Sequence, residues 1–238
     1  IALDANYSLG AELSGVGTYS VELLRGLASY HPGSPFDWYY RPNRFLRSFL
    51  EPVPRNVSRK LLLAGSKPRG QLFHALNQRA DLAPGNQPDV VVTFHDLFVM
   101  TGDYSTPEFR QRFTAQAKQA AARADLIIAV SKFTANQVRD LLNFPAARIR
   151  VVPHGVHAPK SLPPGDELRE NIILHVGAIQ KRKNIARLVE AFEQVTPDWR
   201  LVLAGSAGYD AQAIQERIDR SFARPCITVT GYLHRHEL

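Results

Sequence analysis

Leu174-His-Val-Gly177-Ala-Ile-Gln-Lys181-Arg182-Lys183-Asn184 is the stretch on which the fold turns. A mostly apolar run, Asn171 to Val176, stops at Gly177, and three cations follow almost at once. Asn184 then stands where a helix N-cap belongs, ahead of Ile185, Leu188, Val189 and Phe192 at helical spacing. The expected order is strand, loop, helix. In an open α/β sheet such a loop lies at the carboxyl end of a parallel strand, where ligands bind. Lys183 and the free N–H groups of the helix start would together form a cationic, donor-rich pocket suited to a diphosphate. Read locally, the same residues serve equally well as a solvated Lys-Arg-Lys turn.

The remaining composition sets outer bounds. The chain has 238 residues, 45% hydrophobic and 21% charged, so it is globular rather than disordered and long enough for one large or two modest domains. Its single cysteine, Cys226, has no internal disulfide partner, which favours a reducing, cytoplasmic setting. The eight histidines show no metal-ligand spacing, and no apolar run is long enough to span a bilayer. No signal peptide is expected, since the chain opens on a strand-like segment. A formal charge of +7 calls for anionic partners.

Taken in order, Ile1 to Ala5 reads as a buried strand, followed by Ser14-Gly15-Val-Gly17-Thr18 and a helical stretch through Leu27. Glycines ahead of a helix start would let a phosphate approach backbone N–H groups. Phe36 to Tyr40 is a candidate second strand. After it, Arg41 to Arg69 carries eight cations against the single acid Glu51. Phe45, Leu46, Phe49 and Leu50 interleave with Arg41, Arg44 and Arg47 at helical spacing. An amphipathic helix on an anionic membrane face and a basic helix packed on its own domain both fit that pattern. Nucleic acid is not expected, because no recognition motif accompanies the charge. Strands are expected at Gln71 to Asn77, Val90 to Leu97, Asp125 to Val130 and Ile149 to Val152. Helices are expected at Pro107 to Ala124 and from Ser131, as N-cap, to Leu142. Residues 158–166, with three prolines and a glycine, read as a linker between a domain at 1–157 and another at 167–238. The second domain continues with a strand at Trp199 to Ala204, a helix at Ala211 to Phe222 and a strand at Cys226 to Thr230.

Several segments together resemble the group-1 glycosyltransferases of the GT-B architecture, sequence family 4. They are Val176-Gly177 with Arg182-Lys183-Asn184 and Glu190-Ala191-Phe192; Ser14-Gly15-Val-Gly17-Thr-Tyr19; Leu72-Phe-His74 with Asn77; Thr93-Phe-His95-Asp96; Ala124-Asp-Leu-Ile-Ile-Ala-Val-Ser131; Leu201-Val-Leu-Ala-Gly205; and Gly231-Tyr232-Leu233. The resemblance implies an α/β fold of two Rossmann-like domains. The second is expected to be only partly present, because the paired-glutamate motif that grips the donor sugar does not follow. Ala178 stands where many members have arginine, and His154 and His157 stand where the family's Pro-Asn-Gly-Val-Asp turn has asparagine and aspartate.

The implied activity is retaining, metal-independent transfer of a sugar from a nucleotide-diphosphate sugar, without a cofactor, to a glycan or lipid-linked acceptor. The implied setting is the cytoplasmic side of a membrane, with Arg41 to Arg69 against anionic lipid. Lys183 is the expected main diphosphate contact and Arg182 its helper. Gly15 and Gly17 supply the close-approach backbone. Gly205, Tyr232 and Leu233 lie along the donor, with the nucleobase after Gly231. His95 is the expected polar group at the sugar, and Asp96 steadies its loop. Two other readings stay open: a non-catalytic nucleotide-sugar or phosphate-binding fragment, and a different two-Rossmann enzyme such as a sugar-nucleotide epimerase or a phosphorylase.

Overall fold

The structure, a computed structural model, describes residues 1–10, 12–80, 82–83, 88–156, 170–195 and 198–234. The expected linker at 158–166 lies outside the described residues. The chain divides into two compact units, Ile1–Val156 and His157–Leu238.

The first unit is a seven-stranded parallel sheet. Its elements are β1 (Ala2–Asp4), α1 (Gly15–Tyr30), β2 (Phe36–Tyr40), α2 (Pro42–Phe45), β3 (Val57–Leu61), β4 (Leu72–Ala75), β5 (Asp89–Phe94), α3 (Phe98–Thr101), α4 (Pro107–Arg123), β6 (Leu126–Ala129), α5 (Lys132–Leu142) and β7 (Ile149–Val151). The strands lie in the order β3-β2-β1-β4-β5-β6-β7. The order reverses between β1 and β4, so connections leave their carboxyl ends in opposite directions and open a crevice there. The central strands are apolar almost throughout because helices cover both faces. On one face Phe73, Val92, Phe94, Phe113, Ala117, Ile127 and Val138 form one core; on the other, Leu3, Leu24, Trp38, Tyr40 and Leu76 form a second.

Local chemistry sets the helix starts. Thr106 caps α4 by accepting from the Phe109 N–H, with Pro107 at its first position, and Ser131 caps α5 by accepting from the Thr134 N–H at 3.0 Å. At the end of β1 the buried Asp4 carboxylate accepts the Asn6 N–H at 2.9 Å and meets Arg41 at 3.4 Å, which satisfies a charge that burial would otherwise penalise.

One expectation in this unit is corrected. Gly15 and Gly17 do not form a loop ahead of a helix; they are the first turn of α1, and Ser14 caps it by accepting from the Gly17 N–H at 3.2 Å. The helical spacing of Phe45, Leu46, Phe49 and Leu50 corresponds to a short helical stretch at the start of the basic segment. One turn, α2, passes into a 3-10 turn at Leu46–Leu50, and the chain then extends as β3. β3 pairs with β2 from Phe36 opposite Val57 to Tyr40 opposite Leu61. The Arg59 guanidinium closes the turn by donating from Nε to Ser48 O at 3.1 Å and from Nη2 to Glu51 O.

The second unit is βαβαβ: β8 (Ile172–Val176), a 3-10 turn at Lys181–Lys183, α6 (Ile185–Phe192), β9 (Arg200–Ala204), α7 (Ala211–Asp219) and β10 (Ile227–Gly231). Its parallel sheet runs β10-β9-β8. Two right-handed crossovers advancing in one direction place both helices on one face. There Ile185, Val189 and Phe192 of α6 and Ile214 and Ile218 of α7 pack on Leu201, Leu203 and Ile227. The opposite face carries Leu174 and Val176, 49% and 54% exposed. α7 ends three residues before the expected Phe222. Ser221 accepts from the Ala223 N–H and donates to Glu193, which draws the chain into a turn. Glu193 is also held by both Nη atoms of Arg217, at 2.9 and 2.7 Å.

Candidate functional site

Each unit carries one cluster at the carboxyl ends of its strands. In the first unit the centre is His95, directly after β5. Its Nε2 lies 2.9 Å from Leu76 O. A carbonyl only accepts, so Nε2 carries the hydrogen, and in the neutral ring Nδ1 is left as an acceptor. Burial lowers the proton affinity of His95, the Leu76 bond opposes this, and His154 lowers it further. Tyr19, on α1, meets the His95 ring edge to face at 4.7 Å. The Tyr19 hydroxyl is 3.3 Å from Thr93 Oγ1, which is 2.8 Å from Nε2 of the buried His74. Burial alone drives the His74 pKa down to about 4, so this ring stays neutral at physiological pH. The Thr134 hydroxyl, in the first turn of α5, donates to His95 O at 3.1 Å and fixes the loop from behind.

The second cluster is a row of glycines. Gly177, Gly205 and Gly231 end β8, β9 and β10, with φ of 142°, 158° and 77°. The Gly177 N–H donates to Ala204 O at 2.8 Å, and the Gly205 N–H donates to Gly231 O at 2.7 Å. A β-carbon on Gly205 would lie 2.0 Å from Gly177 O, so no side chain fits between these strand ends. Lys183 Cε comes within 3.9 Å of where a Gly177 β-carbon would stand, which places the lysine chain over that bare backbone. His175 registers it: burial lowers its proton affinity first, and the Lys183 charge lowers it further. Lys181, Arg182 and Lys183 occupy one 3-10 turn immediately before α6.

Asn184 is at the N-cap position of α6 but in the left-handed region, φ 54°, and its side chain makes no capping bond. The expected side-chain cap is therefore corrected; the backbone conformation that ends the 3-10 turn takes the asparagine away from that role. The first turn of α6 is left without a side-chain acceptor.

The structure thus places Lys183, Arg182 and Gly205 in one cluster, at the ends of β8 and β9. Tyr232 and Leu233 follow β10, half-buried, with Tyr232 edge to face on His234 at 5.3 Å. Gly15 is exposed, with open space where a β-carbon would go, whereas Gly17 is buried and a β-carbon there would sit 3.0 Å from Tyr7 O. Gly17 therefore serves packing, and Gly15 is the glycine that a ligand can approach. Sequence reasoning missed Tyr19, Thr93 and His74 as a connected group, and Gly177 and Gly231 as partners of Gly205. The positions lie far apart in the chain, and the sheet order alone brings them together.

Comparison with known proteins bears on this arrangement. The chain is 25% identical over 268 residues to O-antigen chain mannosyltransferase B of Escherichia coli, covering 95% of this chain and 69% of that protein. Among solved structures it resembles a glycosyltransferase from Rickettsia africae ESF-5, with TM-score 0.62, 15% identity, and 98% and 67% of the two chains covered. It also resembles Anabaena Alr3699/HepE in complex with UDP and glucose, with TM-score 0.60, 16% identity, and 98% and 68% covered. These structural likenesses establish the two-Rossmann GT-B fold. Residues 163–238 match the profile of glycosyl transferases group 1, and 13–158, including Tyr19, His74, His95 and His154, match that of Glycosyltransferase Family 4. With more than half its length inside that profile, the chain belongs to Glycosyltransferase Family 4 and is a glycosyltransferase.

Proposed function

We propose that the protein transfers a sugar from a nucleotide-diphosphate donor to a glycan or lipid-linked acceptor, with retention at the anomeric carbon and without a metal ion. The observation that carries this reading is Lys183 lying over the bare backbone of Gly177, with two further cations in the same turn and an uncapped helix start beside them. Charge builds up on the departing diphosphate in the transition state. Fixed cations and backbone donors lower that barrier without having to reorganise. In this scheme the lysine does what a divalent ion does in other transferases. The UDP held by the Anabaena structure supports a nucleotide diphosphate as the leaving group.

His95 is the polar group at the donor sugar. With Nε2–H committed to Leu76 O, its Nδ1 can accept a hydrogen bond from a sugar hydroxyl. A carbonyl, a tyrosine and a second imidazole surround the ring. None of these three groups is a carboxylate, the usual nucleophile for a covalent glycosyl intermediate, so front-face attack guided by the leaving phosphate oxygen is our reading of retention.

A lipid-linked acceptor accords with the 3-10 turn in the basic segment. Leu46, Phe49 and Leu50 are 79%, 59% and 83% exposed beside Arg44 and Arg47, a composition suited to an anionic bilayer surface. No described helix is long and apolar enough to cross a membrane.

The test is a thermal-shift and calorimetry screen of GDP-, UDP- and ADP-sugars, run with and without a chelator. It is followed by NMR assignment of the product anomer for whichever donor binds. One donor class should bind equally in both conditions and give the donor's own anomeric configuration. Chelator-sensitive binding or an inverted product would overturn the corresponding part of the reading.

A further inference from the structure

His154 follows β7, at the same carboxyl edge as His95, and no role has yet been given to it. Three rings meet there in a closed triangle. His95 and His154 stack at 5.5 Å with 24° between planes. Tyr19 touches both, at 4.7 Å from His95 and 4.9 Å from His154. His154 is exposed, whereas His95 is half-buried. We propose that His154 is a positioning residue for His95: its stacked ring holds the His95 imidazole in the orientation that leaves Nδ1 as an acceptor.

The argument is electrostatic and geometric. Two imidazoles in face-to-face contact do not both become cations in the same pH range, because the second proton must join a charge already beside it. Burial opposes the charged form at His95, and the neighbouring His154 lowers its proton affinity further. Of the other titratable groups near the pair, two stay neutral. Tyr19, from α1, is held above its ordinary pKa by burial and stays neutral. His74, from β4, lies behind Thr93 and is neutral down to about pH 4. Asp96, half-buried, is the next residue in the chain. His95 therefore keeps Nε2–H on Leu76 O and Nδ1 as an acceptor into mildly acidic conditions, where a solitary histidine would be losing it.

This inference rests on His95 meeting a donor-sugar hydroxyl, but it can be tested without substrate. The full chain, labelled with 15N-histidine, is titrated by imaging its imidazole nitrogens by NMR, as wild type, His154→Phe and His154→Asn. In the wild type, His95 should appear as the Nε2–H tautomer. His154→Phe keeps a stacked ring without charge, so the His95 midpoint should rise by roughly half a pH unit, the effect of removing a like charge at that separation in a water-like medium. In His154→Asn the rise should persist and the His95 signal should broaden as the stack is lost. Adding salt to the wild type should move the His95 midpoint the same way as the neighbouring charge is screened. A midpoint unmoved by His154→Phe and by salt, or a mixed His95 tautomer in the wild type, would overturn the proposal. If the titrations behave as described but no nucleotide sugar perturbs the His95 nitrogens, the donor-contact reading fails and the positioning role stands.

Discussion

Gly205 lies so close to Gly177 that a β-carbon on the first would stand 2.0 Å from the carbonyl oxygen of the second. The φ of 158° at Gly205 adds a backbone conformation that side-chain-bearing residues seldom adopt. Gly205→Ala should therefore push β8 and β9 apart at their carboxyl ends. We expect a loss of about 1–3 kcal/mol in chemical unfolding, together with loss of nucleotide binding. Gly15→Ala, with open space around the new methyl group, should leave stability almost unchanged. Equal unfolding curves for Gly205→Ala and wild type would refute the tight approach.

Lys183 is exposed and contributes little to folding, so its removal should separate binding from stability. Lys183→Ala is expected to weaken a nucleotide diphosphate by about 1–3 kcal/mol, the range for hydrogen bonds to charged groups, with the melting temperature preserved. Calorimetry at two salt concentrations should show a shallower salt dependence in the variant. Undiminished affinity would take Lys183 out of the site.

The folded protein resists protonating His74, so acid favours the unfolded chain. With a folded pKa of about 4 against 6.5 when unperturbed, the contribution is fully present above the unfolded value. It is lost as pH falls towards the folded one. Between about pH 7.5 and about pH 5, His74 should account for roughly 2 kcal/mol of lost stability. Denaturation of wild type and His74→Gln at both pH values measures this. A variant with the same pH dependence as wild type would show that the buried ring is not the cause.

The exposed turn after α2 gives a prediction that leaves the fold intact. Phe49→Ser combined with Leu50→Ser should lower partitioning onto phosphatidylglycerol vesicles by at least about tenfold, since each buried apolar side chain contributes about 1.5–3 kcal/mol. Co-sedimentation with anionic and neutral vesicles is the measurement. Identical sedimentation of variant and wild type would remove this surface as a membrane contact.

The sequence made β5, β6 and β9 legible because strands covered on both faces read as continuous apolar runs, and no other element is so short and so uniformly apolar. Ser131 and Thr106 announced their helices through capping chemistry that acts over three residues. β3 was hidden because Val57-Ser-Arg-Lys-Leu61 lies at a sheet edge, where solvent-facing charges replace the apolar signal. The spacing of Phe45, Leu46, Phe49 and Leu50 pointed to a helix, and α2 with the 3-10 turn after it covers those residues. At the candidate site, Lys183 and His95 could be found from local motifs. The Tyr19, Thr93 and His74 chain and the row of Gly177, Gly205 and Gly231 could not, since sheet order rather than spacing assembles them.

The uncovered side of the three-stranded sheet sets a rule for handling this protein in solution. Leu174 and Val176 form an oily strip on a layer whose strands ordinarily need cover on both sides. In concentrated stock, copies would cling to one another through that strip. Dilute storage, or a mild detergent, is therefore the better way to keep the protein dispersed.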